Sequence, residues 1–132
     1  MSKHYYLEQA GIDFNEQYPT FPEGDSREKE WKKQRNKYGF DERDTWNLNN
    51  VLMMFIFERV SMFNEFNCVD TNFHEAEYCG EEITFQNAID RIIEGSKLYL
   101  EKDIYDILTD EEDKKINDVL PLFNLFLGCF WW

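Results

Sequence analysis

The chain has few of the residues that most enzyme chemistry requires. It has two histidines, His4 and His74, and three cysteines, Cys68, Cys79 and Cys129, none of them in a C-x-x-C pair. An odd cysteine count without paired spacing argues against a disulfide framework and fits a reducing compartment. No phosphate loop, G-x-G-x-x-G or G-x-S-x-G pattern is present, which removes the usual signatures of nucleotide binding and serine catalysis. No E-x-x-H occurs, so a carboxylate-bridged metal bundle lacks its defining pair. The opening residues, MSKHYYLEQAG, have no apolar core of a signal peptide. The uninterrupted apolar run Val51–Phe57 falls far short of the roughly 20 residues that span a bilayer. A cytoplasmic location is expected, with no membrane as partner.

Positive charge is scarce too. Fourteen Lys and Arg stand against 27 Asp and Glu, a net charge of −13. Direct nucleic-acid binding is not expected, because phosphate attraction needs a basic surface. Acidity of this strength favours solubility, basic partners or imitation of a polyanion. The charge is uneven. Residues 25–45 hold seven basic and six acidic side chains, whereas 46–132 hold six basic and 17 acidic.

Aromatic residues are abundant, with 12 Phe, seven Tyr and four Trp in 132 residues. Such a chain can bury a core despite its charge. The expected organisation is an irregular N-terminal arm over 1–24 and a single helical domain over 25–132. The arm mixes Tyr5, Tyr6, Phe14, Tyr18 and Phe21 with Pro19, Pro22 and Gly24, without a sustained period.

Helical signals follow. Asp25 and Glu28 have capping-box spacing ahead of a charged helix that carries Trp31, and Gly39 suits its end. The cations Lys32, Lys33, Arg35 and Lys37 near that end favour the helix dipole, or else form a contact site for an anion. Asp44–Phe66 is the central helix, with Asp44 or Thr45 as its cap. Its apolar stripe runs through Trp46, Leu48, Val51, Leu52, Phe55, Ile56, Val60, Phe63 and Phe66. Met53, Met54, Phe57 and Met62 lie off that stripe and make the helix apolar nearly all round.

Beyond it, Phe73–Tyr78 and Glu81–Ile83 read as a short β-hairpin turning at Cys79-Gly80. Thr84 is the expected cap of a helix reaching to about Lys102, in which Gly95 is unfavourable unless a neighbour comes close. IYDIL, 104–108, has no clear state. Thr109-Asp-Glu-Glu112 is a complete capping box. The helix it opens is expected to run to about Phe126 with a kink at Pro121. Phe130, Trp131 and Trp132 then either close the core or form an exposed docking patch, with closure preferred because each ring buries much area. The expected fold class is mainly α, a small helical bundle with a short hairpin.

KYGFDERDTWNLNN (Lys37–Asn50), the stretch Phe57–Gly95 and the final Trp-Trp resemble a group of small acidic proteins. These are encoded by phages and prophages of low-GC Gram-positive bacteria. The resemblance covers roughly residues 32–132, and GFDERDTWNL is its most specific part. It implies a phage origin and a role in countering host defence, as anti-CRISPR proteins do, many of them acidic mimics of nucleic acid. It carries no catalytic residues.

Three functional expectations follow. The first is an acidic inhibitor of a host nucleic-acid-binding effector, without turnover or cofactor. Its surface would include Glu75, Glu77, Glu81, Glu82, Glu94, Asp110, Glu111, Glu112 and Asp113, spaced as phosphates are and meeting a basic groove. The second is an adaptor or oligomeric structural protein docking through Phe130, Trp131 and Trp132. The third is a metal-assisted enzyme using Glu58, Glu65 and His74.

Overall fold

The computed structural model describes residues 3–103 and 105–132. The fold is mainly α-helical, with one two-stranded antiparallel hairpin. Among the described residues no helix is long and apolar enough to cross a membrane. The chain forms two compact units, Met1–Leu52 and Met53–Trp132, so the division falls within the central helix rather than at Gly24/Asp25.

In the first unit the stretch expected to be irregular holds two short helices, α1 (Tyr5–Gln9) and α2 (Phe14–Gln17). Leu7 and Ile12 are buried, and the Asp13 side chain caps α2 by accepting from the Asn15 N–H. His4 stacks on Phe14, and Phe14 on Tyr18. The Tyr18 hydroxyl donates to Asp44 (2.5 Å). Burial first, and then that hydrogen bond, push the Tyr18 pKa up.

Helix α3 (Glu28–Tyr38) ends at Gly39, which takes the left-handed conformation expected of it. The capping box at its start does not form. Asp25 instead accepts from the Arg27 N–H and grips the Arg27 guanidinium, while Glu28 pairs with Arg35. The Arg27 and Arg35 guanidinium groups hold these two carboxylates through charge-assisted bonds, which are the stronger ones.

Trp31, only 1% exposed, is the centre of this unit. Phe21 and Trp46 pack around it at 5.4 and 6.1 Å between centroids. The guanidinium groups of Arg27 and Arg43 lie 5.0 and 4.3 Å from its ring. Each such contact contributes on the order of 0.5–2 kcal/mol. Its indole N–H donates to Glu42 (3.0 Å).

The GFDERDTWNL segment supplies most of this arrangement. Buried Asp41 accepts from Arg43 Nη2 (2.7 Å), Arg43 Nε (2.9 Å) and Arg35 Nη1 (2.8 Å). Those partners, Arg43 foremost, hold the Asp41 carboxyl at about 2. Asp44 and Thr45 lie inside a separate short helix, α4 (Arg43–Trp46), and neither caps the central helix, which begins four residues later than expected.

The central helix is α5 (Leu48–Phe66). Its buried side chains are Met53, Met54, Ile56, Phe57 and Val60, whereas Leu48, Leu52, Phe55, Met62 and Phe66 are exposed. The helix is thus rotated from the expected stripe. A helix apolar nearly all round has no polar face strong enough to set its phase.

In the second unit the hairpin pairs β1 (Glu75–Tyr78) with β2 (Glu81–Thr84). Cys79 and Gly80 both have positive φ, +52° and +79°, the backbone of a type I′ turn. The Thr84 hydroxyl caps α6 (Phe85–Glu101) by accepting from the Asn87 N–H. Buried Phe85, Ala88, Ile89, Ile92, Ser96 and Leu100 give α6 its core face. The Thr109 capping box opens α7 (Asp110–Asn117) as expected.

The single kinked helix expected next is two helices. α7 stops at Asp118 and α8 (Val119–Leu125) restarts, placing Pro121 in a first turn where no intrahelical N–H bond is required. Asp118 sits at the junction, and its side chain accepts from Tyr78 Oη (2.5 Å), Lys114 Nζ (2.7 Å) and Arg91 Nη2 (3.1 Å). Burial works to raise the Asp118 pKa, but these three donors outweigh it and leave it lowered.

Gly95 is where α6 meets this pair. A Cβ built there would come within 2.5 Å of Val119 Cγ2 and closer still to the Lys115 carbonyl oxygen. The neighbour that justifies a mid-helix glycine is therefore present.

Candidate interaction surfaces

The nine acidic residues expected to form one surface divide into two kinds. The first kind has a structural role within the helices. Glu94 and Glu111 both pair with Lys115, at 2.9 and 3.5 Å. Glu112 accepts from the Thr109 N–H in the capping box (3.0 Å). Asp110 and Asp113, both exposed, stand with Glu111 and Glu112 in the first turn of α7, where negative charge complements the helix dipole. Their position already has a stability explanation.

The second kind is the hairpin. Glu75, Glu77, Glu81 and Glu82 are exposed, and neither strand carries a Lys or Arg. Register sets Glu77 directly opposite Glu82, with Glu75 on the same face. Like charges across a strand pair destabilise it, and opposite ones would be favoured. Glu75 hydrogen-bonds to Glu82 and repels its charge, which holds the Glu82 carboxyl above the usual glutamate range. The other face carries Ile83, which is buried, and Tyr78, whose hydroxyl is committed to Asp118. The hydrogen bond to Asp118, with burial second, raises the Tyr78 pKa. One face of the hairpin thus presents Glu75, Glu77 and Glu82 to solvent, while Glu81 lies opposite Tyr78 on the anchored face and is exposed beside the turn.

No protein-family model, curated protein or solved structure matches the chain.

The aromatic end divides as well, which corrects the expectation that all three rings close the core. Phe130 packs inward, 4.8 Å from Phe85, 5.3 Å from Phe63 and 5.0 Å from Phe123. Trp131 and Trp132 remain 73% and 62% exposed. Two shallow grooves flank them. One, of about 300 Å³, includes Val69, Phe73, His74 and Trp131 in its lining. The other, of about 310 Å³, is lined by Arg59, Met62, Phe63, Phe66 and Trp132. Phe73, at 77% exposure, is a surface residue that the sequence reading placed in a strand. Phe66 falls on the expected apolar stripe of α5 and Met62 off it, and both are exposed. Nothing in the local pattern marks them as surface residues, because that helix has no readable phase.

Glu58, Glu65 and His74 do not form a metal site. Among the described residues no three His, Cys, Asp or Glu side chains are grouped as a metal ion requires. His74 is exposed and packs edge-on to Phe73. The basic residues of α3 divide too. Arg35 serves Glu28 and Asp41, and Lys37 lies 5.0 Å from the Tyr38 ring. In the IYDIL stretch, Ile104 lies outside the described residues, and Tyr105 and Ile107 are exposed.

Proposed function

We propose that this chain is a phage-encoded inhibitor of a host nucleic-acid-binding effector, presenting the acidic hairpin to the effector's basic groove. The mechanism is steric and electrostatic and involves no turnover. The hairpin carries this reading. Four carboxylates occupy its two strands, two of them directly opposed, in a place where stability alone would favour mixed charge. Strain of this kind is relieved when a cationic surface arrives, so it favours a basic partner over a neutral one.

The residues proposed to make the contact are Glu75, Glu77, Glu81 and Glu82. Asp110, Glu111, Glu112, Asp113 and Glu94 add long-range field rather than direct contact, since most of them already serve α7. Residues 53–132 hold 17 acidic and six basic side chains, a net of −11, so the field of this unit steers cations towards it.

The test is inhibition of a nuclease or other nucleic-acid-binding effector by the natural chain and by Glu75→Gln/Glu77→Gln/Glu81→Gln/Glu82→Gln, at low and high salt, with DNA as competitor. Inhibition that weakens with salt, is competed by DNA and is lost in the glutamine variant supports the proposal. Inhibition indifferent to all three would sink it.

A further inference from the structure

Resting on the acidic-hairpin reading for the partner's charge, we infer that the partner is anchored by an apolar segment, flanked by Lys or Arg, that seats in the two grooves beside Trp131 and Trp132. Exposure is the first observation. Phe73, Trp131 and Trp132 are all more than three-fifths exposed. Aromatic side chains present about 150–250 Å² each, so these three alone leave roughly 300–500 Å² of apolar surface in water. Phe73 and Trp131 line one groove and Trp132 the other, and together this area is about half of what one side of a standard interface buries.

Attachment to a packed cluster is the second observation. Phe130 is held among Phe63, Phe85 and Phe123, and the Trp131 N–H donates to the Cys129 carbonyl (2.9 Å). The two tryptophans thus follow directly on a residue, Phe130, that is packed into an aromatic cluster. Trp is among the residue types that most often dominate binding energy.

Charge selects the occupant. A second copy of this chain would bring another unit of net charge −11 against the first, and a nucleic acid would bring its phosphates. Both are repelled. A basic segment is attracted, and the route to its countercharge is short. Phe73 and His74 line one groove and lead directly into Glu75 of the hairpin. Each groove is at the small end of the ligand-cleft range, which suits apolar side chains rather than a whole small molecule. Apolar anchors in the grooves and cations against the hairpin would give one interface with a desolvated centre and a polar rim.

The test uses a dye-labelled synthetic amphipathic helix of about five turns, with Leu along one face and Lys along the other, read by fluorescence anisotropy. Two control peptides replace Leu by Ser, or Lys by Glu. The Leu/Lys peptide is expected to bind at least about tenfold more tightly than either control, and to lose about tenfold with Trp131→Ala/Trp132→Ala. Both tryptophans are exposed, so this variant keeps the fold, and an unchanged melting temperature verifies it. Equal binding to the natural chain and the tryptophan variant overturns the inference, as does equal binding of the Leu/Glu peptide. Self-association of the protein that the tryptophan variant abolishes also overturns it, by making a second copy the occupant. Phe73→Ala, expected to lose affinity by itself, gives an independent check on the first groove. The hairpin glutamine variant separates the two readings. If it leaves peptide affinity and salt dependence unchanged while the tryptophan variant abolishes binding, the acidic-hairpin reading fails and aromatic docking stands.

Discussion

Replacing Gly95 by Ala would ordinarily stabilise a helix. In an open helical position the change is worth about 1 kcal/mol in favour of Ala. Here the sign should reverse. The added methyl would lie within 2.5 Å of Val119 Cγ2, and nearer to the Lys115 carbonyl oxygen. Non-bonded carbons settle at about 3.5–4.0 Å, so the helices must part by roughly 1 Å or more. They cannot do so freely. One obstacle is backbone rather than a flexible side chain, and Val119 is fully buried. The α7–α8 junction beside them is clamped by Asp118 with Tyr78, Arg91 and Lys114. Against backbone the overpacking cost lies in the upper part of the usual range, about 2–3 kcal/mol, which exceeds the propensity gain of about 1 kcal/mol and leaves a net loss of about 1–2 kcal/mol. For a unit of this size that lowers the melting temperature by roughly 5–15 °C. Thermal melts followed by circular dichroism measure it, with Gly128→Ala as the control, since a Cβ there meets nothing within 4 Å. A Gly95→Ala protein that melts at or above the natural temperature would refute the close approach of α6 to α7 and α8.

Three further outcomes follow from the same geometry. Cys79→Asn should stabilise the hairpin by about 0.5–1 kcal/mol, because Asn tolerates the left-handed conformation that Cys79 holds at φ +52°; a thermal melt checks it, and no gain would contradict the turn assignment. Asp41, at about 2 against an ordinary 3.8, is a depressed carboxyl, so its contribution is present above pH 4–5 and lost as pH falls through 2. That contribution is on the order of 2 kcal/mol, and Asp41→Asn should remove it and flatten the acid limb of a stability-against-pH curve. Glu82→Lys places a cation opposite Glu77 and beside Glu75, so it should raise stability by a few tenths of a kcal/mol while weakening effector inhibition; loss of both, or gain of both, would contradict the proposed role of the hairpin.

The parts of the fold legible in the sequence are those set by local chemistry. Thr84 and the Thr109–Glu112 box each place a hydroxyl where the first free N–H groups of a helix need it, and both helices begin there. Cys79-Gly80 supplies a turn between short alternating segments, and the hairpin forms around it. The mismatches have other causes. Asp25 and Glu28 had capping-box spacing, but Arg27 and Arg35 claimed their carboxylates. The helix expected from Thr109 to about Phe126 is interrupted at Asp118, three residues ahead of Pro121, whose missing N–H cannot bond the Asn117 carbonyl. The rotation of α5 was unreadable because nearly every face of it is apolar. The same limit applies to the candidate surfaces. Acidic residues were visible, but which of them already had partners depended on Lys115 and the register of two strands. That Phe130 turns inward while Trp131 and Trp132 stay exposed depends on the pocket formed by Phe63, Phe85 and Phe123, which no local pattern encodes.

The most direct measurement is the dissociation constant of the complex with a basic nucleic-acid-binding effector across a salt series, for the natural chain and for Glu75→Gln/Glu77→Gln/Glu81→Gln/Glu82→Gln. The account predicts affinity that falls steeply with salt for the natural chain, with a distinctly shallower slope and weaker binding for the glutamine variant. Equal slopes and equal affinities for the two proteins would contradict it.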